Sequence, residues 1–172
     1  FIVCHIDGGI SVSAHRYGRI IDCNDAAGGD GPYTPTRIGS VSVADILEYV
    51  RDKDIDEVKK LCTRTGGFVS HFGTSSSDAV HKMAEEGDKK AIRVWDGMKY
   101  QIVKYIGAMA AVLGGRVDGI LLTGGLLRFE DITQTIREQC EWIAPVSTYP
   151  GEVEHEALAA GALRVLRGEE EP

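Results

Sequence analysis

At 172 residues the chain fits a single domain able to bury about 70 % of its unfolded surface. Its apolar fraction is 43 %, no stretch approaches the roughly 18 residues of a membrane span and the start carries no signal-peptide pattern, so a soluble, cytoplasmic protein is expected. A net charge of -7 leaves no basic footprint for nucleic acid or an anionic membrane, and neither is expected as a partner.

Phe1 opens in mid-strand with no cap or polar lead-in, which reads as a chain cut from something longer. Residues 1–6 and 10–15 are β-branched runs separated by Asp7-Gly8-Gly9, a hairpin signal, and a second hairpin turns at Tyr17-Gly18 into residues 19–23. Gly8 and Gly9 leave backbone N–H groups bare, so an anion such as a terminal phosphate could be held there. The alternative is that they only supply the positive φ angles of a tight turn.

Residues 24–40, NDAAGGDGPYTPTRIGS, are too rich in glycine, proline and small polar residues for helix or strand and predict a structured loop. Arg37 is its most suggestive charge, since backbone of this kind passes close to ligands. Short amphipathic helices are predicted over 43–51, capped by Ser40 or Ser42, and from Asp54 or Asp56 to 64. Thr65-Gly66-Gly67 ends that pair, 68–72 reads as an extended piece, and 74–78 supplies N-caps for a helix to 86. His71 and His81 have no partners at metal-ligand spacing and read as surface or packing residues.

Asp88 opens the longest predicted helix, which ends at Gly114-Gly115. Ala91, Trp95, Met98, Ile102, Ile106, Met109 and Leu113 recur at steps of three and four, one apolar face of a buried central helix. Residues 117–123 then form a short apolar strand that stops at Gly124-Gly125, followed by a helix from Glu130-Asp131 to about 139. Glycine turns at strand C-termini serve tight packing, and they are also where α/β proteins admit nucleotides. Residues 142–147 read as a last strand, Tyr149-Pro150-Gly151 as a turn and 152–167 as a helix. There is neither a G-x-x-x-x-G-K-[ST] loop nor a G-x-G-x-x-G fingerprint. The four cysteines form no C-x-x-C pair and read as reduced, structural thiols.

Five stretches in order, CHIDGGISVSAH, GDGPYTPTRIGS, MKYQIVKYIGAMAAVLGG, DGILLTGGL and YPGEVEHEALAAGALRVLRG, resemble the C-terminal half of the butyrate kinases, relatives of the acetate kinases in the actin and hexokinase-like superfamily. The resemblance implies an α/β, ribonuclease-H-like domain with a mixed five-stranded sheet and helices on both faces. It implies that residues 1–172 are the C-terminal nucleotide-binding domain of a two-domain enzyme whose N-terminal domain is absent from this sequence. The implied activity is Mg²⁺-dependent phosphorylation of a short- or branched-chain carboxylate such as butyrate by ATP, and its reverse from acyl phosphate and ADP, in a homo-oligomer. Alternatives are an acetate or propionate kinase, or a nucleotide-binding domain without transferase activity.

The resemblance also assigns roles to residues. His5, Gly8 and Gly9 match the second phosphate-binding motif, with His5 donating to phosphoryl oxygens. Arg37 matches the arginine that lies against the substrate carboxylate and the phosphoryl group in flight. Gly124, Gly125 and Leu126 match the adenosine motif, and Glu154 matches a glutamate that positions Mg²⁺, although Glu152 and Glu156 stand close in register. Asp7 occupies a position that is usually glycine in the family, and a carboxylate beside a phosphate is repulsive unless it turns outward, is protonated or meets the metal. Replacing Asp7 with Gly is therefore expected to strengthen nucleotide binding or leave it unchanged.

Overall fold

Two successive hairpins lay down one side of a five-stranded sheet, and a long helix covers the face they bury. The computed structural model describes residues 1–149, 151 and 154–171. Strands β1 (Ile2–Ile6), β2 (Ile10–Arg16) and β3 (Arg19–Cys23) run antiparallel, as the short turns between them require. β4 (Ile120–Thr123) joins β1 in parallel and β5 (Val146–Tyr149) joins β4 in parallel, giving the order β3-β2-β1-β4-β5. This mixed sheet is that of the ribonuclease-H-like, actin/hexokinase-type domain expected from the sequence.

Register sorts the strand residues by face. Ile2 pairs with Ala14 and Ile120, and Cys4 with Val12 and Leu122, so their side chains share one face, where all six are wholly buried. Helix α5 (Lys89–Val112) lies across that face with Trp95, Met98, Ile102, Ile106 and Met109 buried, the stripe that the spacing predicts. Its first turn is capped by Asp88, whose Oδ1 accepts from Lys90 N at 2.8 Å and Ala91 N at 2.9 Å. Val3 and His5 lie on the opposite face and are only half-buried.

The remaining helices are α1 (Val43–Val50), α2 (Ile55–Thr63), α3 (Gly67–Phe72), α4 (Ser77–Glu85), α6 (Glu130–Cys140) and α7 (Glu154–Leu166). The structure corrects the sequence reading in three places. Residues 68–72 are not extended but form α3, because Phe68 is wholly buried beside Trp95 and the backbone of Gly67 runs against Thr34 O. The last strand starts at Val146 rather than 142, since Trp142 remains exposed in a turn where its Nε1 donates to Gln139 O at 2.8 Å. β4 begins at Ile120, three residues later than expected. Neither Gly8 nor Gly9 takes a positive φ, so a tight turn with left-handed residues does not explain them.

All four cysteines are free thiols. Burial pushes the Cys4 thiol far above its ordinary value, with neighbouring Cys140 adding to the effect, and burial raises Cys140 to about 11, so both are inert packing groups. Among the described residues, no helix is long and apolar enough to cross a membrane.

Candidate functional site

The site is built where the β1–β2 turn meets the loop at 24–40 and the glycine turn after β4. Thr34, almost wholly buried, organises the loop locally: its Oγ1 accepts from Thr36 N at 3.2 Å and from Arg37 N at 3.1 Å, and its own N–H donates to Arg37 O at 3.1 Å. Two further bonds fasten this turn to α2 and the segment after it, from Gly66 N to Thr36 O at 3.0 Å and from Ile38 N to Leu61 O at 3.1 Å. Tyr33 ties the loop to α5, its N–H donating to Gln101 Oε1 at 2.8 Å and its hydroxyl to Val94 O. The sequence marks residues 24–40 as a loop; these anchors make it a rigid mount for Arg37.

The Arg37 guanidinium rests on the β1–β2 turn. A Cβ at Gly9 would lie 2.8 Å from Arg37 Cζ and 3.2 Å from Nη2, with Nη1 closer still, so the guanidinium can hold this position only against a glycine. Nε is buried without a hydrogen-bond partner, and no carboxylate among the described residues pairs with the side chain. Thr36 Oγ1 reaches Gly8 O at 3.5 Å, a second tie between loop and turn. Arg37, Gly8 and Gly9 are thus brought together.

The second turn is seated just as closely. Gly124 has φ 106° and passes directly over β1, where a Cβ would stand 2.7 Å from Ile6 C and 2.8 Å from Ile6 N. Residues 125–128 continue as a 3₁₀ turn in which Leu126 is buried. His5 is paired in register with Ser11 and with Thr123, the residue before Gly124, and so stands at the same end of the sheet.

Asp7 joins the two turns. Its Oδ1 accepts from Gly8 N at 2.7 Å and its Oδ2 from Gly125 N at 3.1 Å, so the carboxylate turns inward and consumes two of the backbone donors that the glycines expose. The sequence raised the problem of a carboxylate in this position but not this solution, which depends on a contact between residues 118 apart.

Asp7, Gly8, Pro35, Thr36, Ser75, Ser76, Ser77, Asp78, Leu126 and Arg128 enclose a cleft of about 300 Å³. Ser75 to Asp78 and Arg128 were not singled out in the sequence, where 74–78 reads only as helix N-cap. Arg128 donates through Nη1 to Gly125 O at 2.8 Å and through Nη2 to Asp78 Oδ2 at 3.0 Å, and lies 4.5 Å from the Phe129 ring centroid. The guanidinium beside Asp78 holds that carboxyl below its ordinary value. Behind it, His81 is packed between Trp95 and Phe129, with ring centroids 4.9 and 4.6 Å away, and its Nε2 lies 3.6 Å from Asp131 Oδ1. Glu154 opens α7, but its side chain, like all of Glu152, lies outside the described residues. Among the described residues, no group of three or more His, Cys, Asp or Glu converges to hold a metal ion.

The arrangement offers a guanidinium and glycine backbone at one end of a sheet, with a polar cleft alongside, which is suited to an anionic ligand approached by main chain. Residues 1–150 match the model of the acetokinase family. The chain is 45 % identical over 172 residues to a protein of Coprothermobacter proteolyticus described as a probable butyrate kinase, covering 99 % of this chain and 48 % of that protein. Its fold is similar to that of an acetate kinase from Porphyromonas gingivalis, with a TM-score of 0.83 at 21 % identity over 96 % of this chain and 48 % of that one. It is also similar to an acetate kinase from Entamoeba histolytica, with a TM-score of 0.80 at 18 % identity over 93 % of this chain and 50 % of the other. The chain therefore spans about half the length of the relatives it matches.

Proposed function

The chain belongs to the acetokinase family, and from that premise we propose that it is the nucleotide-binding half of a carboxylate kinase that phosphorylates a short- or branched-chain carboxylate such as butyrate with ATP, and makes ATP from the acyl phosphate. The observation that carries this reading is the guanidinium of Arg37 laid on Gly9 with no carboxylate partner among the described residues. Phosphoryl transfer passes through a loose transition state with charge on three equatorial oxygens, and a planar guanidinium can bind two of them at once. An arginine that no carboxylate among the described residues engages is available for that charge.

In this reading Gly8, Gly9 and His5 face the phosphates, and Gly124, Gly125 and Leu126 receive the nucleoside, with the Gly125 N–H turned to the phosphate side, where it meets Asp7. Mg²⁺ would enter with ATP, since it is commonly held by phosphate oxygens and water with only one or two carboxylates from the protein. Glu154 is the proposed carboxylate. The other half of the relatives' length supplies the opposite wall, the acyl pocket and the first phosphate-binding motif, and the assembled enzyme is a cytoplasmic homo-oligomer.

A hydroxamate assay for acyl phosphate tests the reaction, using this chain joined to the N-terminal half and a series of carboxylates. Turnover fastest with butyrate or branched acids supports the proposal. Turnover fastest with acetate or propionate keeps the reaction and changes the substrate. One observation favours a second reading, nucleotide binding without transfer: Asp7 fills donors that a phosphate would use. ATP binding with no acyl phosphate formed from any acid would establish it.

A further inference from the structure

The chain meets its own backbone donors with its own carboxylate. Gly8 N and Gly125 N belong to two different turns, yet both point at Asp7, which lines the cleft together with Gly8 and Leu126. The cleft's nearest cation is answered in the same way, since Arg128 is paired with Asp78. Bare N–H groups converging on one point make a nest for an anion. Here the occupant is built in.

Two roles are open to such a carboxylate: a clamp that holds the turns together, or a resident anion that an incoming phosphate must displace. The sheet decides between them. β1 and β4 are already fixed side by side through four register pairs from Ile2↔Ile120 to His5↔Thr123, and Gly124 packs directly on the Ile6 backbone. The turns keep their spacing without Asp7, so a clamp is redundant. Displacement, by contrast, has a direct cost, because the same two N–H groups cannot serve both anions and the carboxylate repels a polyphosphate in the cleft.

We propose that Asp7 is a specificity-determining residue that reserves the cleft for anions able to outcompete a carboxylate, namely the polyphosphate of a nucleotide, and excludes inorganic phosphate. The inference rests on the reading of the cleft as a nucleotide phosphate site. A phosphate that takes the two N–H groups first loses the Asp7 carboxylate to solvent, so the net gain from freeing the donors is modest and polyphosphate binding should tighten about tenfold, equivalent to about 1.4 kcal/mol.

Calorimetric titration of the 172-residue chain with ADP, adenosine and inorganic phosphate provides the test, run on the wild type, Asp7→Gly and Asp7→Asn. ADP should bind about tenfold more tightly to Asp7→Gly, adenosine affinity should stay within about twofold, and inorganic phosphate should bind the variant measurably and the wild type not. Asp7→Asn preserves shape while removing charge, and should shift ADP binding in the same direction; it carries the test should Asp7→Gly fail to fold. ADP affinity equal to or weaker than wild type in both variants overturns the inference, as does an equal gain for adenosine. If the wild type binds ADP and the variants do not tighten it, this inference alone falls. Absence of ADP binding by all three proteins takes the nucleotide reading down with it.

Discussion

Arg37 is the residue on which the proposed chemistry turns. In the assembled enzyme, Arg37→Ala should lower kcat by about 10³ to 10⁵ while changing ATP affinity far less, whereas loss of a mere surface ion pair would cost roughly 0 to 1 kcal/mol of stability and almost nothing in rate. Steady-state kinetics beside nucleotide titration separate the two. Arg37→Lys should recover part of the loss, since a point charge cannot reproduce the two parallel bonds of the guanidinium fork. Gly9→Ala probes the same contact from the other side. Its methyl group would meet the end of a flexible side chain rather than backbone, so the arginine swings away and the fold survives. Stability should change by less than about 1 kcal/mol, and kcat should fall about a hundredfold, as expected for a misplaced catalytic group. A denaturant melt and a rate measurement on one preparation check both halves of that statement.

Glycines of the two turns differ sharply at the level of the element. Gly124→Ala places a methyl group on the Ile6 backbone at a φ of 106°, and clash and strain together should cost about 2 to 6 kcal/mol in urea unfolding. Gly8→Ala meets nothing within 4 Å and should be close to neutral in stability. The contact between α5 and α6 adds a pH dependence. Burial works against the Asp131 charge, but hydrogen bonds from Lys99 Nζ at 2.9 Å and Trp95 Nε1 at 2.7 Å outweigh it and hold the carboxyl below its ordinary value. A carboxyl with a lowered folded-state pKa stabilises the fold above its ordinary value, and that contribution is lost as pH falls through the folded one. Urea melts between about pH 6 and pH 3 should therefore show a shallower acid loss in Lys99→Met than in the wild type. An equal slope would mean that the pair contributes nothing. These elements were unevenly legible in the sequence. The hairpins and the α5 stripe could be read because turn chemistry and helical period are local signals. The helix at 67–72 could not, because its β-branched and aromatic content suits a strand and only the burial of Phe68 against α5 decides otherwise. Arg37 and the glycines were legible through motif order, whereas the inward turn of Asp7 and the Arg128–Asp78 pair arise from contacts 118 and 50 residues apart.

On the scale of the molecule, the sheet gathers the proposed site from turns at the ends of β1 and β4 and from the loop before α1. Catalysis of phosphoryl transfer is almost entirely positioning and charge stabilisation, and in the proposed two-domain enzyme a second wall completes both and excludes water. The 172 residues alone should therefore bind adenine nucleotide weakly and form no acyl phosphate at a meaningful rate. The most direct measurement is hydroxamate-trapped acyl phosphate from butyrate, ATP and Mg²⁺, made with this chain alone and with the chain joined to the N-terminal half. Product is expected only from the joined protein, and none from the joined Arg37→Ala variant above the rate of the chain alone. Robust turnover by the isolated chain, or a joined protein that binds ATP yet phosphorylates no carboxylate, would contradict it.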